Sequence, residues 1–232
     1  MSLVRFGGGI VQMSGSIAGT TFARNRYGNY ARARTKPINP NTSGQNQVRS
    51  ILTDLSARWA QTLTANQRTA WNLYGTSVAM KNRLGETVYL SGYNHYIRSN
   101  SYRVYGDRPI VDDGPVVFEL PEKDESVTIS GSEATGHISL AFDDTKAWCD
   151  EEGALMIIGN GQPQNGQRNF FAGPYHAYGR MVGDAVTPPT SPLDADYWYA
   201  IAAGQKIWVR LRISRADGRL SSPFRASCTV GA

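Results

Sequence analysis

The stretch Lys206-Ile207-Trp208-Val209-Arg210-Leu211-Arg212-Ile213-Ser214, continuing through Arg215-Ala216-Asp217-Gly218-Arg219-Leu220-Ser221-Ser222-Pro223, decides the fold of the C-terminal half. Ile207, Val209, Leu211 and Ile213 recur at every second residue. Successive side chains of a strand point to opposite faces, so these four share a buried face while Trp208, Arg210, Arg212 and Ser214 share the other. Asp217-Gly218 supplies the turn that folds this strand back onto a last one. The same period runs upstream as far as Val116. It predicts strands at 116–120, 127–129, 137–142, 155–158, 177–182, 197–202, 206–214 and 224–230. Short strands between polar turns, in a chain with 24 glycines and 11 prolines, predict an antiparallel β-sandwich.

Upstream of residue 109 the period becomes helical. Asn41-Thr42-Ser43 opens a helix on which Val48, Ile51, Leu52, Leu55 and Trp59 form one apolar stripe, ending near Thr62. Thr64 and Gln67 have capping-box spacing, and Ala70, Trp71, Tyr74 and Val78 mark a second helix. The short connection predicts that the two pack as an antiparallel pair. Asn82-Arg83-Leu84-Gly85 ends this pair. Residues 86–90 read as a short strand, and Ser91 is placed to cap a third helix carrying Tyr93, Tyr96, Ile97 and Val104.

The first 42 residues read as extended. Glycine recurs at 7, 8, 9, 15, 19 and 28, Pro37 and Pro40 follow, and neither residue favours a helix interior. Glycine and asparagine breaks between Gly15 and Arg34 allow short paired strands. The expected class is therefore α+β: an extended N-terminal arm at 1–42, a short helical segment at 43–108 and an immunoglobulin-like antiparallel β-sandwich at 109–232.

Charge divides along the same lines. The net charge of +5 combines 14 Lys+Arg against three acids up to Arg108 with 10 against 16 beyond it. The first 53 residues hold seven cations and no acid, a composition that seeks phosphate or an acidic protein surface. No apolar run reaches the roughly 18 residues of a membrane span. The opening Met1-Ser2-Leu3-Val4-Arg5-Phe6 runs into three glycines, which interrupts the apolar region of a signal peptide.

Trp208 to Pro223 resembles the last hairpin of a fibronectin type III domain, with its alternating Val/Arg strand, glycine turn and Ser-Pro opening of the final strand. Trp148 stands too near a loop to match that family's early-strand tryptophan, so the resemblance implies the broader immunoglobulin-like sandwich. A second resemblance covers Met13-Ser14-Gly15-Ser16-Ile17-Ala18-Gly19-Thr20-Thr21-Phe22-Ala23, Gly28-Asn29-Tyr30-Ala31-Arg32, Pro40-Asn41-Thr42, Gln45, Arg49, Trp71 and Leu90-Ser91-Gly92-Tyr93-Asn94. Over this N-terminal part the chain resembles tailed-phage virion structural proteins. That resemblance implies a virion part without enzymatic activity, assembled in the host cytoplasm.

Catalytic and metal patterns are weak. His95, His137 and His176 have no metal-ligand spacing. Gly159-Asn160-Gly161 meets Gln164 where a dinucleotide loop needs glycine, and 159–173 reads as a polar loop. Gly75-Thr76-Ser77-Val78-Ala79 is one residue short of a nucleophile elbow. Asp143, Asp144, Asp150, Glu151 and Glu152 around Trp148 read as a solvated loop, with Ca²⁺ as the alternative; Asp194 and Asp196 read likewise. Trp148, Trp198 and Trp208 are expected in the core, with sugar stacking as the alternative. Cys149 and Cys228 are expected as buried thiols, with one bridge across the sandwich as the alternative. No enzyme, cofactor or metal is expected.

Partner binding is assigned to the arm, through Phe22, Arg24, Arg26, Tyr27, Tyr30, Arg32, Arg34 and Lys36. Arginine gives planar bidentate contacts and tyrosine adds area at low entropy cost. Ordering such an arm costs about 1–2 kcal/mol per residue, so it needs surface from elsewhere. The expected function is a capsid decoration or cement protein that clamps neighbouring subunits. The expected partners are the major capsid protein and copies of the chain itself. A neck or tail component, or a structural protein contacting nucleic-acid phosphates, is the alternative. No membrane partner is expected.

Overall fold

Glycine at the right places turns the leader back on itself. β1 (Ser2–Leu3), β2 (Gly15–Ile17), β3 (Thr20–Asn25) and β4 (Gly28–Ala33) form an antiparallel sheet in the order β1-β4-β3-β2. The short paired strands allowed between Gly15 and Arg34 are present, and with β1 they make a sheet of what composition gave as an extended arm. Two tight connections explain it: Ala18, at φ 49°, lies between β2 and β3, and the Tyr27 amide donates to Asn25 Oδ1 at 2.9 Å between β3 and β4. Strand pairing then satisfies backbone groups that an isolated arm leaves to water. The computed structural model describes residues 2–36, 38–82 and 84–232. Met1, Pro37 and Arg83, read above as part of the leader, a helix breaker and part of a terminating turn, lie outside the described residues.

Capping fixes the helices where sequence places them. Thr42 caps α1 (Ser43–Gln61), Thr64 and Gln67 form a complete capping box on α2 (Ala65–Ser77), and Ser91 caps α3 (Gly92–Tyr105). A hairpin of β5 (Ala79–Lys81) and β6 (Thr87–Tyr89) joins the last two. The expected α1–α2 pair is replaced by an arrangement in which both pack mainly on α3. Aromatic rings explain the choice: Tyr96 of α3 takes Trp59 of α1 at 5.4 Å and Trp71 of α2 at 5.6 Å. Glycines then let α2 approach the start of α3. A Cβ at Gly75 would stand 2.6 Å from the Leu90 carbonyl oxygen, and one at Gly92 2.4 Å from the Asn72 nitrogen.

The segment after α3 is tied to the helices. Asp112 accepts from Arg58 Nε at 2.8 Å, Arg58 Nη2 at 2.6 Å and the Tyr96 hydroxyl at 3.1 Å, while its carbonyl accepts from Trp71 Nε1 at 2.9 Å. Ile110 and Leu120 pack on the helical core of Leu55, Leu63, Trp71, Tyr74 and Tyr96.

Beyond it, β7 (Thr128–Gly131), β8 (His137–Ala141), β9 (Leu155–Gly161), β10 (Gln164–Asn165), β11 (Tyr175–Val182), β12 (Leu193–Asp196), β13 (Gln205–Ser214) and β14 (Phe224–Thr229) build two antiparallel sheets. One is β12-β8-β7. In the other, β13 lies between β9 and β14, β11 flanks β9, and short β10 adds to β13. Ile138 and Leu140 of the first face Met156, Ile158, Val209 and Leu211 of the second across one hydrophobic cluster. The chain is thus mixed α+β with antiparallel strands in several sheets.

Two strand expectations are corrected. Residues 116–120 form no strand: 116–119 are exposed and pair with no strand among the described residues. Residues 197–202 are also irregular: Tyr197 crosses the end of the cluster and donates to the Gly161 and Trp208 carbonyls at 2.5 and 3.1 Å. The strand before it is β12, where Leu193 and Ala195 alternate with Asp194 and Asp196; these aspartates, which read as a loop because acids are rare in strands, lie on a strand instead. A third correction concerns Gly159-Asn160-Gly161, which lies inside β9 and not in a loop. Glycine is needed there because Phe171 covers the strand: a Cβ at Gly161 would lie 2.7 Å from its ring.

The helices and the larger sheet share a seam. The Arg98 guanidinium donates to the Leu220 and Ser221 carbonyls at 2.8 and 2.7 Å, and Arg103 Nη1 to the Arg215 carbonyl at 2.9 Å. Arg212, on the outward face of β13, lies under α3 with its guanidinium 4.9 Å from the Tyr102 ring centre.

Candidate functional site

Strand register divides the arm residues between two faces. Phe22 pairs with Ala31 and Arg24 with Asn29, which puts them on one face together with Ile17 and Thr20. Tyr30 pairs with Ala23 and Leu3, and Arg32 with Thr21, on the opposite face. Arg26 and Tyr27 form the β3–β4 connection, while Arg34 and Lys36 follow β4 and are exposed. The structure therefore brings Phe22 with Arg24 and Tyr30 with Arg32, and does not gather all eight. Phe22 meets only Phe6, at 6.4 Å between ring centres, among the aromatic contacts of the described residues.

None of the described residues from 2 to 50 is buried. The sheet reaches the rest of the chain through an Arg5–Glu86 ion pair and a 3.3 Å hydrogen bond from Asn94 Nδ2 to the Tyr27 hydroxyl. The Arg5 contact, after the Asn82 hydrogen bond, holds the Glu86 carboxyl below its usual range. Between sheet and hairpin lies a cleft of about 490 Å³ lined by Leu3, Tyr27, Met80, Val88 and Leu90. Arg24, Arg26, Arg32, Arg34 and Lys36 form no ion pair with a carboxylate among the described residues.

A second surface was not among the sequence candidates. Across β11, β13 and β14, cations lie on aromatic rings. Arg210 and Arg225 stand 4.9 and 5.7 Å from the Tyr175 ring centre, Lys206 5.7 Å from Trp208, and Arg168 5.8 Å from Phe171. None of these four cations meets a carboxylate among the described residues. Burial, opposed by the two arginines, raises the Tyr175 hydroxyl above its ordinary range. The alternation of Trp208, Arg210 and Arg212 gave the outward face in sequence. What it lacked was Tyr175, which β11 delivers from more than thirty residues away.

Comparison with protein-family models, with curated proteins and with solved structures finds no match. The histidines do not meet. His95 is fully buried with Tyr74 edge-on at 4.9 Å, and burial, then Arg98, pushes it down to about 4. His137 contacts Asp196 at 2.6 Å on an open strand face, and His176 stacks on Trp198 at 4.0 Å. Among the described residues no group of three or more His, Cys, Asp or Glu is placed to hold a metal ion.

The acids around Trp148 bond to protein groups, Asp144 for one accepting from the Ser191 amide at 3.2 Å. Asp143 accepts from the Thr145 amide and hydroxyl, which, with Thr145's hydroxyl foremost, lowers its carboxyl, and Glu151 pairs with Arg215. Trp148 and Trp208 are buried as expected, whereas Trp198 is 48% exposed. Cys149 and Cys228 are free thiols. No helix among the described residues is long and apolar enough to cross a membrane.

Proposed function

We propose that this chain is a virion structural protein, a capsid decoration or cement protein that clamps neighbouring subunits through its N-terminal sheet. One observation carries the reading: from residue 2 to residue 50 no described residue is buried. A sheet of this size needs a hydrophobic face or a packed neighbour for independent stability. Among the described residues, the face bearing Ile17 and Phe22 has no aromatic neighbour beyond Phe6, and the surrounding cations favour an acidic partner. A neck or tail component fits the same features. The C-terminal unit is proposed to be an immunoglobulin-like sandwich of the fibronectin type III kind. Its seven principal strands, counted in chain order, divide into sheets 1-2-5 and 4-3-6-7, which supports that reading. Catalysis is not part of the proposal.

The seven cations without an acid before residue 54 support a second reading, in which the sheet lies along nucleic-acid phosphates. One experiment separates the two. The full chain and a variant lacking residues 2–36 are incubated with particles stripped of the protein, and with random-sequence DNA, over a salt series. The clamp reading expects particle binding that the truncation abolishes while the remainder stays folded. Undiminished binding by the truncated chain overturns it. Steep salt-dependent DNA binding without particle binding selects the second reading.

A further inference from the structure

The apolar stripe of α1 is only half used. Ile51 and Leu55 enter the helical core, but Val48 and Leu52 are each 42% exposed. They form one wall of a groove of about 340 Å³, with Tyr102 and Tyr105 of α3 and Tyr175 and Ala177 of β11 as the others. β11 is the last strand of its sheet, so its outer backbone edge is unpaired there. The groove's charge has one sign: Arg210 and Arg225 lie on Tyr175, Arg212 lies on Tyr102, and no carboxylate lines it. A matching occupant carries large apolar side chains beside carboxylates.

The chain contains such a segment. Pro115-Val116-Val117-Phe118-Glu119-Leu120-Pro121-Glu122 has the alternation of a strand but finds no partner strand. Pro115 and Pro121 are buried and hold its ends, while Val116 is 83% and Phe118 42% exposed. Glu119 stands in solvent beside them, and Glu122, exposed as well, pairs loosely with Lys146 at 3.4 Å. None of these residues lines the groove of its own chain.

We propose that the 116–119 loop of one copy seats in the α1–α3–β11 groove of the next. Phe118 fills the apolar floor, and Glu119 and Glu122 face the arginines stacked on Tyr175. The two surfaces differ, so the contact is head-to-tail and propagates into a ring or filament rather than stopping at a symmetric pair. It involves neither the N-terminal sheet nor any particle, and so stands apart from the clamp reading.

Sedimentation velocity of the full chain over a concentration series tests it, with Phe118→Asp spoiling the loop and Leu52→Asp spoiling the groove. Both positions are surface-exposed. The wild-type chain is expected to associate beyond a dimer, more weakly at high salt, and each variant alone to lose at least tenfold in association. An equimolar mixture of the two variants keeps one intact loop and one intact groove, and is expected to form a heterodimer and nothing larger. Heterodimer formation also shows that both variants are folded. A wild-type chain that stays monomeric overturns the proposal, as do variants that associate like wild type or a mixture that stays monomeric.

Discussion

Asp112 accepts four hydrogen bonds from one residue on each helix: two from Arg58, one from the Tyr96 hydroxyl and, at its backbone carbonyl, one from Trp71. The Arg58 hydrogen bonds are the main cause of its lowered carboxyl pKa. A carboxylate depressed in the folded state contributes stability above its unfolded pKa and loses it as pH falls through the folded one. Asp112→Asn is expected to cost about 1.5–3 kcal/mol at pH 7, the range for hydrogen bonds to charged groups, and to flatten the acid limb below pH 4 in urea melts. His95 works in a separate window. Its folded pKa, pushed down to about 4, lies below the ordinary histidine value near 6.5, so between the two only the unfolded chain binds the proton. Stability there should fall by about 1.4 kcal/mol per pH unit as pH drops. His95→Phe loses no hydrogen bond, since neither ring nitrogen has a protein partner, and should remove that slope. Unchanged slope in the variant would place the titration elsewhere. Sequence showed only that His95 stands in no metal-ligand spacing; its burial is against Tyr74, which another helix brings.

Element boundaries were the most legible feature, because caps are local. Thr42, Thr64 with Gln67, and Ser91 each bond to an amide three residues on, and no distant residue is needed. Thr64→Ala should cost about 1 kcal/mol in thermal unfolding. Packing between elements was not legible. Gly75 sits inside α2, where alanine gains about 1 kcal/mol of helix propensity. Its added Cβ would nonetheless meet the Leu90 carbonyl at 2.6 Å, and overpacking of that kind costs about 1–3 kcal/mol. Gly75→Ala is therefore expected to lower the melting temperature, and a rise would mean that α2 and the start of α3 move apart freely. The strand expectation at 116–120 failed for a related reason. Alternation gives a segment the capacity to pair, but pairing needs an edge within reach.

At the scale of the whole molecule, the N-terminal sheet and the remainder are expected to be thermally independent. Removing residues 2–36 takes away no core residue, and its one ion pair and one hydrogen bond to the body are both exposed or partly so. Differential scanning calorimetry should show the truncated chain melting within about 2 °C of the full one, the shift expected for about 0.5 kcal/mol in a chain of this length. A larger drop would mean that the sheet is integral to the fold. Composition and period alone determined the mixed class, the helix caps, the buried face of β13 and the uneven charge, because each depends on residues only a few positions apart. Tertiary structure decided that the basic leader is a two-faced sheet, that Tyr175 lies beneath Arg210 and Arg225, and that Val48 and Leu52 open onto a groove. Those are contacts between distant segments, and they are set by which surfaces remain once the two hydrophobic clusters have closed.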